Sequence, residues 1–193
     1  MVAYVPPKQA GKYKAVASGA ITGGKPVVVN STGTVTQISE STSAVGAEAV
    51  FESAVTQYIA STFDSSNNKV VIAYRDSGNS SYGTAIVATI DSANNTISYG
   101  SPTVFNSANS LYISPTFDSS NNKVVIAYQN GGDSSHGYAI VGTVSGTSIS
   151  FGTHAEFENA TANYISATFD SDENRVVIAY SDAGNSNYGT AII

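Results

Sequence analysis

Any chemistry in this chain has to be done without cysteine or tryptophan, by two histidines, twelve tyrosines and a thin supply of charge. Neither His136 nor His154 stands with a Ser or Cys and a carboxylate in a triad-like pattern, so nucleophilic catalysis has no visible machinery. Clamping a sugar carboxylate would need several arginines, and the only two, Arg75 and Arg175, occupy different places relative to their surroundings. A glycoside hydrolase would need a supported carboxylate pair, and none is evident. The crowded turn Asp170-Ser171-Asp172-Glu173 invites comparison with a calcium loop. The equivalent Asp64-Ser65-Ser66-Asn67 offers oxygens but neither has the fixed Gly nor the terminal bidentate Glu of such loops, so these residues, with Asp118, read as turn caps. No catalytic residue, cofactor or metal is expected.

The tyrosines are the stronger lead. Tyr58, Tyr112 and Tyr164 recur at one place in a repeated pattern, and Tyr82 and Tyr188 recur at another, where His136 replaces them. Rings with a polar tip stack on sugars and are frequent at recognition surfaces. They also pack between neighbouring units, and His136 is then a planar side chain in a packing slot. Tyr82, His136 and Tyr188 are accordingly the candidate sugar-stacking residues.

What positions these side chains is a module of about 53 residues written almost three times. Phe63-Asp64-Ser65-Ser66-Asn67-Asn68-Lys69-Val70-Val71-Ile72-Ala73-Tyr74 returns nearly unchanged at Phe117–Tyr128, and with substitutions at Phe169–Tyr180. A period of this size means one supersecondary unit per copy, each needing its neighbours to bury its apolar face. The copies differ in length where Asp91-Ser92-Ala93-Asn94-Asn95-Thr96 gives way to Ser145-Gly146-Thr147-Ser148, as loops between fixed strands do. Within one copy, strands are expected at Tyr58–Phe63, Val70–Tyr74, Thr84–Ile90 and Ile97–Tyr99, joined by Asx- and Gly-containing turns. Val70–Tyr74 is apolar at every position, which asks for cover on both faces.

The expected fold is therefore all-β: four-stranded antiparallel sheets, propeller-like blades of about 53 residues each, with an open stack of sheets as the other architecture. Repeats fall at about 51–104, 105–156 and 157–193, the last incomplete. The chain stops in mid-strand, which points to a longer repeat protein or to a ring assembled from several copies. Residues 1–44 form a separate N-terminal β-rich module, with two short strands around the turn at Gly23-Gly24 and a third at Thr34–Ile38, and the repeat domain is 45–193.

Charge divides along the same line. Residues 1–49 carry Lys8, Lys12, Lys14 and Lys25 against Glu40 and Glu48, a net +2, whereas residues 50–193 carry four basic and twelve acidic residues, a net −8. The repeats are poor partners for nucleic acid or anionic membranes. The N-terminus shows no apolar signal segment and the chain no membrane-length apolar run, so work outside a cell would be reached without a classical signal, release of virus particles by lysis being one such route. The second loop, Asp76-Ser77-Gly78-Asn79-Ser80-Ser81-Tyr82-Gly83-Thr84, resembles the Asp-box of sialidase-type propellers, a folding element; the expected roles are Asp capping the turn and Gly supplying positive φ.

Phe-Asp-x-x-x-Asn-Lys-Val-Val-Ile-Ala-Tyr together with Asp-x-Gly-Asn-Ser-x-Tyr-Gly-Thr-Ala-Ile-Val resembles repeats of virion fibre or appendage proteins of marine bacteriophages, cyanophages among them. The segment Ala17–Val35 looks like small β-rich modules that attach such proteins to particles. The resemblance implies a non-enzymatic, homo-oligomeric virion protein, a capsid fibre, capsid decoration or tail fibre. Lys8, Lys12, Lys14 and Lys25 would lie on the anchor and meet capsid or tail proteins, and the repeats would face a host surface glycan. A carbohydrate-binding propeller lectin is the alternative.

Overall fold

The structure is a computed structural model that describes residues 15–24, 26–37 and 46–193. The chain divides into two compact units, Met1–Ala44 and Val45–Ile193.

In the first unit, β1 (Val27–Val29) pairs antiparallel with β2 (Val35–Gln37). The connecting turn closes through Asn30 N to Thr34 O at 2.8 Å and Gly33 N to Asn30 O at 3.0 Å. Asn30 also reaches across the hairpin, its Nδ2 donating to Thr36 Oγ1 at 2.8 Å. Of the expected strand before Gly23 only a single parallel bridge forms, Ala17 to Val35, and Ile38 lies outside the described residues.

The second unit is antiparallel throughout its described pairings. The first repeat supplies β3 (Thr56–Asp64), β4 (Lys69–Asp76), β5 (Tyr82–Asp91) and β6 (Thr96–Tyr99). Next come β7 (Thr103–Asp118), β8 (Lys123–Asn130), β9 (His136–Ser145) and β10 (Ser148–Phe151). The last are β11 (Ala155–Asp170), β12 (Arg175–Asp182) and β13 (Tyr188–Ile192), with a 3₁₀ turn at Ala183–Asn185. The four strands read from each complete repeat are present.

Their assembly differs from propeller blades. The hydrogen-bonded order β3-β4-β5-β7-β8-β9-β11-β12-β13 runs from one edge to the other and does not close. The reason is that β7 and β11 are 16-residue strands shared by successive sheets. Thr103–Asn109 pairs with β5, and Ser110–Asp118 pairs with β8. Ala155–Thr161 likewise pairs with β9, and Ala162–Asp170 with β12. The first half of each long strand thus extends the sheet of one copy, on the same side as the short β6 or β10, and its second half is the first strand of the next copy, with register shifts but no turn at the crossing. Repeat boundaries placed at 104/105 and 156/157 fall close to the start of these shared strands, several residues before each crossing.

Two apolar clusters hold the sheets face to face. Val71 and Ala73 of β4 and Ala85 and Val87 of β5 pack with Val124, Ile126 and Tyr128 of β8 across one gap. Ala127 of the same β8 packs with Ile165, Ile178 and Tyr180 across the other. β8 is therefore covered on both faces, as its unbroken apolar run Val124–Tyr128 requires, whereas in β12 Ala179 is exposed.

The turns come from local side-chain chemistry. Asp64 Oδ1 accepts from Ser66 N and Asn67 N, both at 3.0 Å, and its Oδ2 accepts from Asn67 Nδ2 at 2.8 Å. Asn68 then takes the left-handed conformation, φ 52°. Asp118 and Asp170 cap their turns in the same way, as does Asp91 between β5 and β6. Burial opposes ionisation of Asp64 and Asp118, but the hydrogen bonds together outweigh it and hold both carboxyls below the usual carboxylate range.

The second turn corrects one expectation. Asp76 Oδ1 does accept from Gly78 N at 2.9 Å, but the left-handed residues are Ser80 and Ser81, with Ser134, Ser135, Ser186 and Asn187 in the later copies. The glycine is required by space instead. A Cβ at Gly78 would stand 2.5 Å from Ala54 Cβ, and one at Gly132 would stand 2.5 Å from Ala108 Cβ.

Candidate functional site

Each first strand of a repeat bulges at the same dipeptide. Gln57 pairs with Arg75 and Ala60 with Ala73, so Tyr58 and Ile59 together face one residue, Tyr74. The same shift spans Tyr112-Ile113 and Tyr164-Ile165. In all three the tyrosine is left-handed, with φ of 51°, 48° and 54°. A bulky side chain there costs on the order of 1–3 kcal/mol and persists only where its surroundings over-determine it.

The bulge turns the three rings into a row. Tyr58 and Tyr112 centroids lie 5.5 Å apart and Tyr112 and Tyr164 5.2 Å apart, all in edge or tilted contact. Arg75 caps one end, its guanidinium carbon 5.9 Å from the Tyr58 ring centroid. Burial, reinforced by the flanking Tyr164 and Tyr58, raises the Tyr112 phenol above its ordinary value. Tyr164 at the other end is 74% exposed. Tyr112, between Tyr58 and Tyr164, is half-buried and packs against the second apolar cluster, so the row is open to an aromatic-stacking ligand chiefly at the Tyr164 end. The sequence marks these tyrosines as recurrent; the bulge that brings them into contact has no glycine to announce it.

Tyr82, His136 and Tyr188 open β5, β9 and β13 at equivalent positions but in unequal settings. Tyr188 is 62% exposed and Tyr82 is half-buried. The His136 side chain is also mostly covered, and its Nδ1 lies 2.8 Å from Glu156 Oε1 and 4.0 Å from Asp133 Oδ2. Tyr138 joins this group by donating its hydroxyl to Asp133 Oδ2 at 2.5 Å, a bond that holds the phenol up at about 12. Close by, His154 Nδ1 meets the Tyr128 hydroxyl at 2.5 Å, and burial keeps that imidazole below its ordinary value.

Asp133, Tyr138 and Glu156 were not marked by sequence reasoning. The available signal is that the middle copy departs from its siblings at these places. Asp64, Asp118 and Asp170, by contrast, are engaged by their own turns. Lys8, Lys12, Lys14 and Lys25, the expected anchoring residues, lie outside the described residues. Comparison of the chain with protein-family models and with curated proteins finds no match.

Proposed function

We propose that the protein is a non-enzymatic structural component of a phage virion, a capsid or tail fibre or capsid decoration, in which residues 1–44 attach to the particle and the β-repeats are displayed toward a host surface. The observation that carries the reading is the tyrosine row. Three equivalent rings recur on left-handed backbone in three successive repeats and stand together in one row, and strained backbone of this kind clusters at ligand-binding surfaces. The division of the chain at Ala44 supports a separate attachment module, as does the exposure of Val27, Val28 and Val29, three adjacent valines in a strand of that module. The partners are then capsid or tail proteins at one end and a surface glycan at the other, with several copies per particle.

An antibody raised against residues 45–193 should label intact particles, and a chain lacking residues 1–44 should fold but no longer incorporate at the normal copy number. Full incorporation of the truncated chain overturns the anchoring role. On a glycan array, the Tyr58→Ala/Tyr112→Ala/Tyr164→Ala protein should lose whatever binding the parent shows. Binding that instead depends on Tyr82, His136 and Tyr188 as several weak, equivalent sites would favour a lectin.

A further inference from the structure

The middle repeat differs from both siblings at a set of positions that the fold brings to one spot. Where the first copy has Asn79, Tyr82, Thr84 and Val104, the second has Asp133, His136, Tyr138 and Glu156, and the third has Asn185, Tyr188 and Thr190 in the first three places. Asp133 and His136 lie in and just after the turn between β8 and β9, while Glu156 comes from β11, directly opposite Tyr138 in the register. Side chains far apart in sequence have thus changed together from neutral to ligand-bearing types.

From this we infer that Asp133, His136 and Glu156 form a binding site for a first-row divalent cation such as Zn²⁺ or Mn²⁺. One imidazole nitrogen and two carboxylate oxygens all lie within 4.8 Å of one another. Bonds of about 2.0–2.2 Å from a shared ion bring donor atoms to within roughly 3–4 Å of each other, a spacing the exposed carboxylates reach by side-chain rotation. The mixed nitrogen and oxygen set favours a transition ion over Ca²⁺, which takes oxygen ligands. Tyr138 supplies the outer hydrogen bond that orients Asp133, the usual support of a metal-binding carboxylate. Among the described residues, no Lys or Arg lies within 4.0 Å of either carboxylate, so His136 is their single basic neighbour. A depression lined by Glu156, Phe157, Glu158 and Asn159 adjoins the Glu156 side of the site.

The sibling repeats supply variants that the fold already accommodates: His136→Tyr, Glu156→Val and Asp133→Asn. Titration of the full chain with Zn²⁺ alone, followed by calorimetry, should show one ion per chain. His136→Tyr and Glu156→Val should abolish binding, and Tyr138→Thr should weaken it by about tenfold. Thermal unfolding of each variant without metal checks that it is folded. In the unsubstituted protein, Mn²⁺ should broaden the ring-proton resonances of His136 more than those of His154. Absence of saturable Zn²⁺ binding, binding unchanged in His136→Tyr, tighter binding of Ca²⁺ than of Zn²⁺, or broadening centred on His154 overturns the assignment.

Discussion

Tyr112 and Tyr164, 52 positions apart in sequence, stand with ring centroids 5.2 Å apart because each is the left-handed residue of a bulge in the first strand of its sheet. Tyr112 has a ring neighbour on both sides. Two aromatic contacts at about 0.5–1.5 kcal/mol each are the same size as the backbone cost of a non-glycine residue in that conformation. The rings therefore offset the strain without leaving much surplus.

This balance predicts an inversion of the usual substitution order. Tyr112→Ala and Tyr112→Gly both lose the ring contacts, but only glycine is relieved of the left-handed penalty. Tyr112→Gly should be the more stable of the two by about 1 kcal/mol in urea unfolding. In a regular strand glycine would be the worse choice, so alanine proving more stable would show that the bulge is not as described.

Coverage of β8 on both faces makes the middle sheet the most sensitive to truncation. Ile126 is fully buried between sheets, and Ile126→Ala should cost about 2–5 kcal/mol. Val177→Ala in β12, where burial is partial, should cost well under half as much. Equal losses in denaturant midpoint at the two sites would contradict the packing of the sheets.

The close approach at the second turn has its own test. Gly132→Ala drives a methyl to 2.5 Å from Ala108 Cβ and should destabilise by about 1–3 kcal/mol, although φ at Gly132 is not positive. Removing the opposing methyl should restore part of that loss, so Gly132→Ala with Ala108→Gly should show a favourable coupling in a double-mutant cycle. Additive effects would mean that the two groups do not touch.

The contrast between legible and illegible parts follows from where the determining physics sits. Asp64-Ser65-Ser66-Asn67-Asn68 encodes its turn within five residues, because the carboxylate, its amide donors and the left-handed Asn are all local, and so the hairpins and strands are readable. Val124–Tyr128 states by its unbroken apolarity that both faces are covered. What sequence does not mark is the passage of β7 and β11 from one sheet to the next. Asn106-Ser107-Ala108-Asn109-Ser110 contains no Gly or Pro, so a continuous bent strand reads as the end of one unit and the start of another, and separate propeller blades are the natural but mistaken expectation. The tyrosine bulge is hidden for the opposite reason, since tyrosine favours extended backbone and long-range ring contacts override that preference. The cluster at His136 draws on two segments twenty residues apart, and its pattern emerges only when the copies are compared position by position.

The turn carboxylates make the fold sensitive to acid. Asp64 and Asp118 are held below the ordinary carboxylate value in the folded chain, so the folded state binds fewer protons than the unfolded one as pH falls through that range. Their contribution is therefore complete above the unfolded value of about 3.9 and is lost as pH drops through the lower folded values. Urea unfolding followed from pH 6 to pH 2 should show a loss of stability that begins near pH 4. Asn at either place keeps a side-chain oxygen for the turn amides but cannot titrate, so Asp64→Asn/Asp118→Asn should be less stable than the parent at pH 6 and should lose less on acidification. The two curves converge at low pH if these carboxylates are responsible. Parallel curves, with the double variant displaced by a constant amount at every pH, would place the acid sensitivity elsewhere in the chain.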